Sequence, residues 1–488
     1  MCEKITDAEK LNYKTKLNTF DNCEKIVYIN NDNDRGDIML SEFRVSNFLS
    51  FDEEQTFSME AGKVRNNIDR VYTDTGFKLL KFMAVYGANA SGKSNLVEAL
   101  GFAQSVILRG VPNGSSNSYC RVQSDNISKP SHFEFTIKIG DSKYVYGFYL
   151  MINTGEFTSE YLRQYKYGTT YKTIFSRNIE NGIYEVESYF KDVALNERLR
   201  IYADDIRNDG SILFLRLMNQ NKASLYEKES PIRIYRQVFN WFKFKLSVNY
   251  PDRPITGYSY LMDSENVDQI GKLLSAFGTG VSEFVIADVA QEKVMSNIPK
   301  DLFQEILENL AEQKKIYADK KTDQTPAIIL RSEVDNLMFI LQMENDNLEC
   351  KTIEFKHEQT NAVFSLNEES DGTIRLLDLI EVLLCKDRER VYVIDEINRR
   401  FHPLLTYKFV EEYLKLAVSR NIQLIVTTHE SKLMDFDLLR KDEIGFVDKD
   451  ESGRSTIFSL DSFSERFDKK VCKSYLEGKY KAIPRFKY

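Results

Sequence analysis

An α/β fold with two lobes, built on a mixed sheet plus an antiparallel hairpin and carrying an inserted helical domain, follows from three observations. Gly87-Ala-Asn-Ala-Ser-Gly-Lys-Ser94 follows the apolar run Leu79–Tyr86 and opens a helical pattern at Asn95. Apolar residues alternate strictly at Phe133, Phe135, Ile137 and Ile139 and again at Tyr144, Tyr146, Phe148 and Leu150, parted by a Gly140-Asp141 turn. Far downstream a second apolar strand, Val391–Ile394, ends in the carboxylates Asp395 and Glu396.

A chain of 488 residues, 42% hydrophobic and 12% aromatic, has enough apolar material for two or three domains of ordinary size. The net charge of −8 gives no global attraction for nucleic acid, so a contact with DNA would need a local basic patch. Six cysteines (Cys2, Cys23, Cys120, Cys350, Cys385, Cys472) show neither a CxxC pair nor a metal-ligand rhythm and read as reduced thiols. No run of about eighteen apolar residues is present, and the N-terminus lacks the form of a signal peptide. These features predict a cytoplasmic protein with no membrane partner.

Taken in order, residues 1–38 are polar, rich in Asn, Asp and Lys, and read as an appended arm. A first lobe spans 39–185; Phe43, Val45 and Phe48 begin it as a half-buried strand. The glycine-rich stretch is a phosphate-binding loop in its strand–loop–helix context, contributed by Gly87, Ala88, Asn89, Ala90, Ser91, Gly92, Lys93, Ser94 and Asn95. Its glycines let backbone N–H groups turn inward, and the helix behind adds the positive end of its dipole. Lys93 reaches the β- and γ-phosphates of ATP, and the Ser94 hydroxyl ligates Mg²⁺. The following helix shows Leu96, Leu100, Ala103 and Ile107 on one face and stops near Gly110-Val111-Pro112.

Residues 186–345 read as a mainly helical insertion, as at Ile232–Phe244 and Leu302–Ala311, without the sustained heptads of a coiled coil. Trp241, beside Phe239, Phe242 and Phe244, reads as core. A second lobe spans 346–488. Within it Ser370-Asp371-Gly372-Thr373 precedes an apolar helix, with Ser370 placed as its N-cap. Asp395 is placed to share the Mg²⁺ with Ser94, and Glu396 to orient and deprotonate the attacking water. The strand Gln423–Thr428 then delivers His429, whose neutral imidazole suits a contact with the γ-phosphate. The tail from Asp468 is basic, with interleaved Tyr, Leu and Ile; DNA, a partner protein and the chain's own core all remain open as what it docks on.

The set GANASGKSN, ESDGT, VYVIDEI and TTHE, in this order around an insertion, resembles the ABC/SMC-like ATPases of bacterial anti-phage and abortive-infection systems. The antiparallel segment after the first helix suits the same ABC-ATPase-like fold. The resemblance covers Met39 to the C-terminus and implies ATP and Mg²⁺ as cofactors and a homodimer or higher homo-oligomer. It also implies that Ser370, Asp371, Gly372 and Thr373 of one subunit face the ATP held by the other, and that a separate effector protein acts downstream. Asp371 stands where that family's signature usually has Gly, and Thr373 where Gln is usual; the family's Q-loop glutamine has no clear counterpart, Gln123 and Gln164 lacking a distinctive context. Asn398-Arg399-Arg400-Phe401-His402-Pro403 retains the His-Pro of the segment that follows the carboxylates. Two other functions fit the motifs: a repair or recombination ATPase acting on DNA ends, and an ATP-dependent scaffold with little turnover.

Overall fold

The apolar run before the loop condenses into the strand Phe82–Tyr86, buried along its whole length. That pattern belongs to a central parallel strand covered on both faces. It sits in a six-stranded sheet in the order Leu246–Asn249, Val391–Ile394, Gln423–Thr427, Phe82–Tyr86, Ile444–Lys449, Ser455–Ser459. The first five are parallel and the last is antiparallel. Strands distant in sequence thus become neighbours, and the chain's two halves close one sheet. The buried Gln423 side chain fastens them further, accepting from Leu40 N and donating to the carbonyls of Leu40 and Leu80.

In this computed structural model the described residues are 38–74, 76–166, 170–185, 190–226, 232–251, 255, 258–262, 264–319, 325–332, 335–344, 347–384, 389–463 and 471–483. The expected polar arm lies outside them except for Ile38, as do Cys2, Cys23 and Cys385. Among the described residues no helix is long and apolar enough to cross a membrane.

The expected hairpin forms as Ser131–Ile139 and Ser142–Met151 and is the centre of a seven-stranded antiparallel sheet. That sheet runs Ile183–Glu185, Tyr171–Asn178, Glu156–Tyr165, Ser142–Met151, Ser131–Ile139, Ile38–Ser46, Gln55–Ser58. The helix Lys93–Arg109 packs its apolar face on it, with Phe102 5.0 Å from Phe48 and 5.5 Å from Phe133, ring to ring. Trp241 is fully buried, edge-on to Phe135 and Phe242, so the core reading of this residue holds.

Contacts divide the chain into a larger unit (Asp32–Pro251, Lys386–Arg399, Pro403–Tyr488) and a smaller one that includes Asp252–Cys385 and Arg400–His402. The expected boundaries at 186 and 345 are therefore displaced. Residues 190–250 stay with the larger unit because Phe214, Tyr235, Trp241 and Phe242 belong to its core. The smaller unit is also less helical than the sequence suggests. Besides the helices Ser264–Ala276, Gln291–Asn297 and Lys300–Asp319 it holds a sheet ordered Val281–Asp288, Asn347–His357, Leu337–Glu344, Ala327–Ser332. Its core joins Phe303, Ile306 and Leu310 of the long helix to Ile328, Leu330, Phe339 and Leu341 of the sheet. The strands lie close in sequence to a strongly periodic helix, and the helical period dominates a reading by windows.

Candidate nucleotide site

Phe82–Tyr86 ends at Gly87, and the helix Lys93–Arg109 starts from Gly92 with no side-chain cap. Its first N–H groups are therefore left for a ligand, and with the helix dipole they form a place for phosphate. Gly92 has φ +111°, and a Cβ there would run into Ser455 Oγ and lie 2.9 Å from Ser50 Oγ. A Cβ at Gly87 would meet the Val447 carbonyl. Both glycines are required by shape. Lys93 is buried and donates to the Gly87 and Ala88 carbonyls at 3.0 Å. Burial lowers its pKa to about 8, opposed by the nearby Asp395 and Glu396 carboxylates. A buried ammonium held on two loop carbonyls is ready to turn toward a stronger anion. Ser94 is exposed, and the buried Ser91 hydroxyl has no hydrogen-bond partner. Asn89 and Ala90 are exposed, Ala88 and Asn95 half-buried.

The parallel strand Val391–Ile394 carries Asp395 and Glu396 at its C-terminal end. Asp395 is buried; it accepts from the Thr427 hydroxyl, and its N–H donates to Asn249 O. Glu396 has φ +48°, an uncommon conformation for a residue with a side chain. It is held there by its N–H, which donates to Thr427 Oγ1 at 2.8 Å, and its carboxylate pairs with Arg399 at 3.5 Å. The next strand, Gln423–Thr427, leads to exposed His429, whose N–H donates to Asn398 Oδ1 at 3.3 Å. Asn398 also receives the Thr428 hydroxyl at 3.0 Å. Burial and the Lys93 charge lower the His429 pKa, against Glu396 and Asp395, so its imidazole is neutral at pH 7. Lys93, Asp395, Glu396 and His429 thus share one electrostatic neighbourhood at the C-terminal ends of three adjacent strands, where open α/β sheets bind ligands. The hard oxygen donors Ser94 and Asp395 suit Mg²⁺.

A family model described as "AAA domain, putative AbiEii toxin, Type IV TA system" matches residues 82–239 and 268–435. The chain belongs to this family. No curated protein matches the chain. Among solved structures it is similar to an SMC head bound to the C-winged helix domain of ScpA, at 15% identity over 87% of this chain and 98% of that one, with a TM-score of 0.39. It is also similar to the SMC head domain from Thermotoga maritima, at 13% identity over 86% and 98% of the two chains, with a TM-score of 0.33. At such scores these likenesses carry no argument, and the fold rests on the sheet order above.

In the smaller unit of this AAA-family chain, Ser370 caps the helix Asp371–Leu379, accepting from Thr373 N at 3.1 Å. The Ser370 and Thr373 hydroxyls are 2.9 Å apart. Asp371 is exposed and pairs with Arg400 at 3.8 Å, so its charge is matched within the chain. Gly372 lies against the Arg400 backbone, where a Cβ would be 3.4 Å from the carbonyl oxygen. His402 is exposed directly before the helix Pro403–Ala417. Gln164 is spoken for on the antiparallel sheet, donating to Ser142 and Tyr144.

Four supports of the AAA site escaped the sequence reading: Ser50, Ser455, Thr427 and Asn398. Ser455 contacts Ser50 at 2.7 Å and donates to Ser91 O at 2.6 Å, while Asn95 donates to Ser50 at 2.6 Å. One signal was available for Thr427 and Asn398, because Thr427 opens the TTHE motif and Asn398 opens the segment that retains His-Pro, although neither was given a role. Among its described residues the tail docks on the chain's own core. Tyr475 of the helix Val471–Leu476 packs on Tyr86 at 5.9 Å and on Phe446 at 5.8 Å, and Ala482 N donates to Asp448.

Proposed function

We propose that this AAA-family protein binds and hydrolyses ATP between two copies of itself, and that the cycle serves as sensor and switch of an anti-phage defence system acting through a separate effector. The observation that carries the reading is the gathering of Lys93, Asp395, Glu396 and His429 at one sheet edge beside an uncapped helix start. Family membership supports the setting, since the family description names a toxin of a TA system.

ATP would supply the phosphoanhydride bond and Mg²⁺ the charge neutralisation of its phosphates; Ser94 and Asp395 are the residues to hold the ion. Lys93 exchanges its two loop carbonyls for phosphate oxygens and regains full charge as it does so. Glu396, partly open to solvent and fixed by the Thr427 hydroxyl, orients a water and takes its proton. Neutral His429 donates a hydrogen bond toward the γ-phosphate and loses it when phosphate leaves. Ser370, Asp371, Gly372 and Thr373 of a second copy face the same ATP, with Arg400 balancing the Asp371 carboxylate.

The test is a phage challenge of bacteria expressing the wild-type chain or Lys93→Ala together with its native neighbouring genes. Protection that depends on Lys93 is expected. Equal plaque counts for wild type, Lys93→Ala and empty vector would remove the defence reading, and DNA-stimulated turnover with a steep salt dependence would replace it with a DNA-end ATPase.

A further inference from the structure

A second polar site lies on the antiparallel sheet. A cavity of about 340 Å³ is lined by Glu54, His132, Glu134, Tyr149, Tyr161 and Arg163, together with the buried Glu160–Arg177 pair and serine and asparagine side chains. That volume is at the lower end of small-molecule sites. His132 is buried at the floor and stacks on Tyr149, with centroids 4.2 Å apart and planes at 11°. Its Nδ1 faces Glu54 at 3.1 Å and its Nε2 faces the Tyr161 hydroxyl at 2.8 Å. The Tyr161 hydroxyl is also 2.5 Å from Glu134. Gly147 makes this possible, because a Cβ there would lie 2.6 Å from Tyr161 Cζ and push the ring away.

Counting protons shows what this chain of contacts lacks. Glu54, His132, Tyr161 and Glu134 are joined by three links, and each needs one hydrogen. A neutral imidazole and a phenol supply two; the third needs an imidazolium or a protonated carboxyl. The groups facing His132 are Glu54 from the turn after Phe51, Glu134 on its own strand, Tyr149 and Tyr161 from the neighbouring strands, and Arg44 from the strand Ile38–Ser46. Burial, the leading cause, lowers the His132 pKa against the two carboxylates, which favours the neutral imidazole and leaves the links one proton short when both carboxylates are ionised.

The local charge agrees. Arg44 pairs with Glu134 at 3.5 Å and with Glu42 at 3.2 Å, and Arg163 lies over the Tyr161 ring at 4.1 Å. With the buried pair of Glu160 and Arg177, 3.8 Å apart, included, four carboxylates (Glu42, Glu54, Glu134, Glu160) stand against three guanidinium groups (Arg44, Arg163, Arg177). Glu54, with its side chain 47% exposed, stands where an incoming group can reach it.

We propose that this cavity binds one organic monocation, the ammonium or guanidinium end of an amine ligand, held by Glu54 beside the stacked rings of His132 and Tyr149, in place of the proton that His132 takes up at low pH. An aromatic face and a carboxylate together form a recurrent cation receptor. A free amine and a basic side chain of a docking polypeptide share this chemistry. The site is independent of the ATP reading.

The experiment is calorimetric titration of the full chain with agmatine and with a blocked Gly-Arg-Gly tripeptide, at pH 5.5 and pH 7.5, in buffers of different ionisation enthalpy. Saturable binding at millimolar ligand is expected, weaker at pH 5.5 than at pH 7.5, with proton release on binding at the lower pH. Below the His132 pKa the affinity changes by up to about tenfold per pH unit. Glu54→Gln should weaken binding at least tenfold, whereas His132→Phe, which retains an aromatic ring, should bind with no pH dependence between these values. Tighter binding of the tripeptide assigns the site to a docking polypeptide, and tighter binding of agmatine to a free amine. No saturable heat with either probe, or binding indifferent to Glu54→Gln, overturns the proposal.

Discussion

Ser455→Ala removes the middle of a buried hydrogen-bonded chain that ends on the phosphate-binding loop. Each hydroxyl in the chain has one proton, which assigns the directions: Asn95 donates to Ser50, Ser50 to Ser455, and Ser455 to the Ser91 carbonyl. Ser455 is 1% exposed, so water does not replace it. The variant strands one buried acceptor, Ser91 O, and one buried donor, the Ser50 hydroxyl. At ~1–3 kcal/mol for each unserved group, the expected loss is roughly 2–6 kcal/mol. The stranded carbonyl is next to Gly92, so part of the loss falls on the loop; even about 1.4 kcal/mol there weakens ATP binding tenfold. The assay is titration with a fluorescent ATP analogue, run beside urea unfolding of the same samples. A change below about 0.5 kcal/mol in both, the scale of an inert surface substitution, would refute the bracing role of this chain.

Gly87→Ala forces a methyl against the Val447 carbonyl, a backbone atom that cannot swing away, so nucleotide binding should be lost in the same titration, while Gly76→Ala in a separate turn, with open space around it but φ +82°, should cost about 1–2 kcal/mol of stability and leave binding intact. Lys93 should impose a pH dependence. Its folded pKa of about 8 lies below the ordinary 10.5, so the unfolded chain holds more protons between these values and the nucleotide-free protein gains stability as pH rises through that window. ATP binding needs the charged form, and its affinity should fall above pH 8 by up to about tenfold per unit, as titrations from pH 7 to 9.5 will show. Tyr475→Ala opens the packing on Tyr86, the residue before Gly87, and should cost roughly 2–4 kcal/mol with weaker ATP binding. Tyr475→Phe loses only the bond to Ala482 O and should cost about 1 kcal/mol.

The catalytic motifs were legible because each is compact in sequence. Gly87–Asn95 carries its own glycines, lysine and flanking periodicities, and Val391–Glu396 is an apolar strand with its carboxylates attached. The parallel sheet that brings them together was legible too, since buried strands of this class are continuous apolar runs. What escaped depends on contacts between distant residues. Ser50 and Ser455 are 405 positions apart, and nothing near either serine marks it. The cavity over His132 draws on four strands and the segment at Glu54, and its shape depends on a glycine whose neighbour is Tyr161 of the next strand. The tail's partner depended on aromatic residues, Tyr86 and Phe446, whose side of the sheet no single stretch reveals. The smaller unit's sheet was hidden because its strands carry polar residues among the apolar ones, as in Asn347–His357, whereas Lys300–Asp319 has an unmistakable helical period.

Solution mass with and without ATP and Mg²⁺, for wild type and Glu396→Gln, tests most directly whether ATP joins two copies and hydrolysis parts them. The account predicts a monomer without nucleotide, a transient dimer for wild type with ATP, and a persistent dimer for Glu396→Gln that binds ATP but does not turn it over. A mass indifferent to nucleotide in both proteins would contradict it.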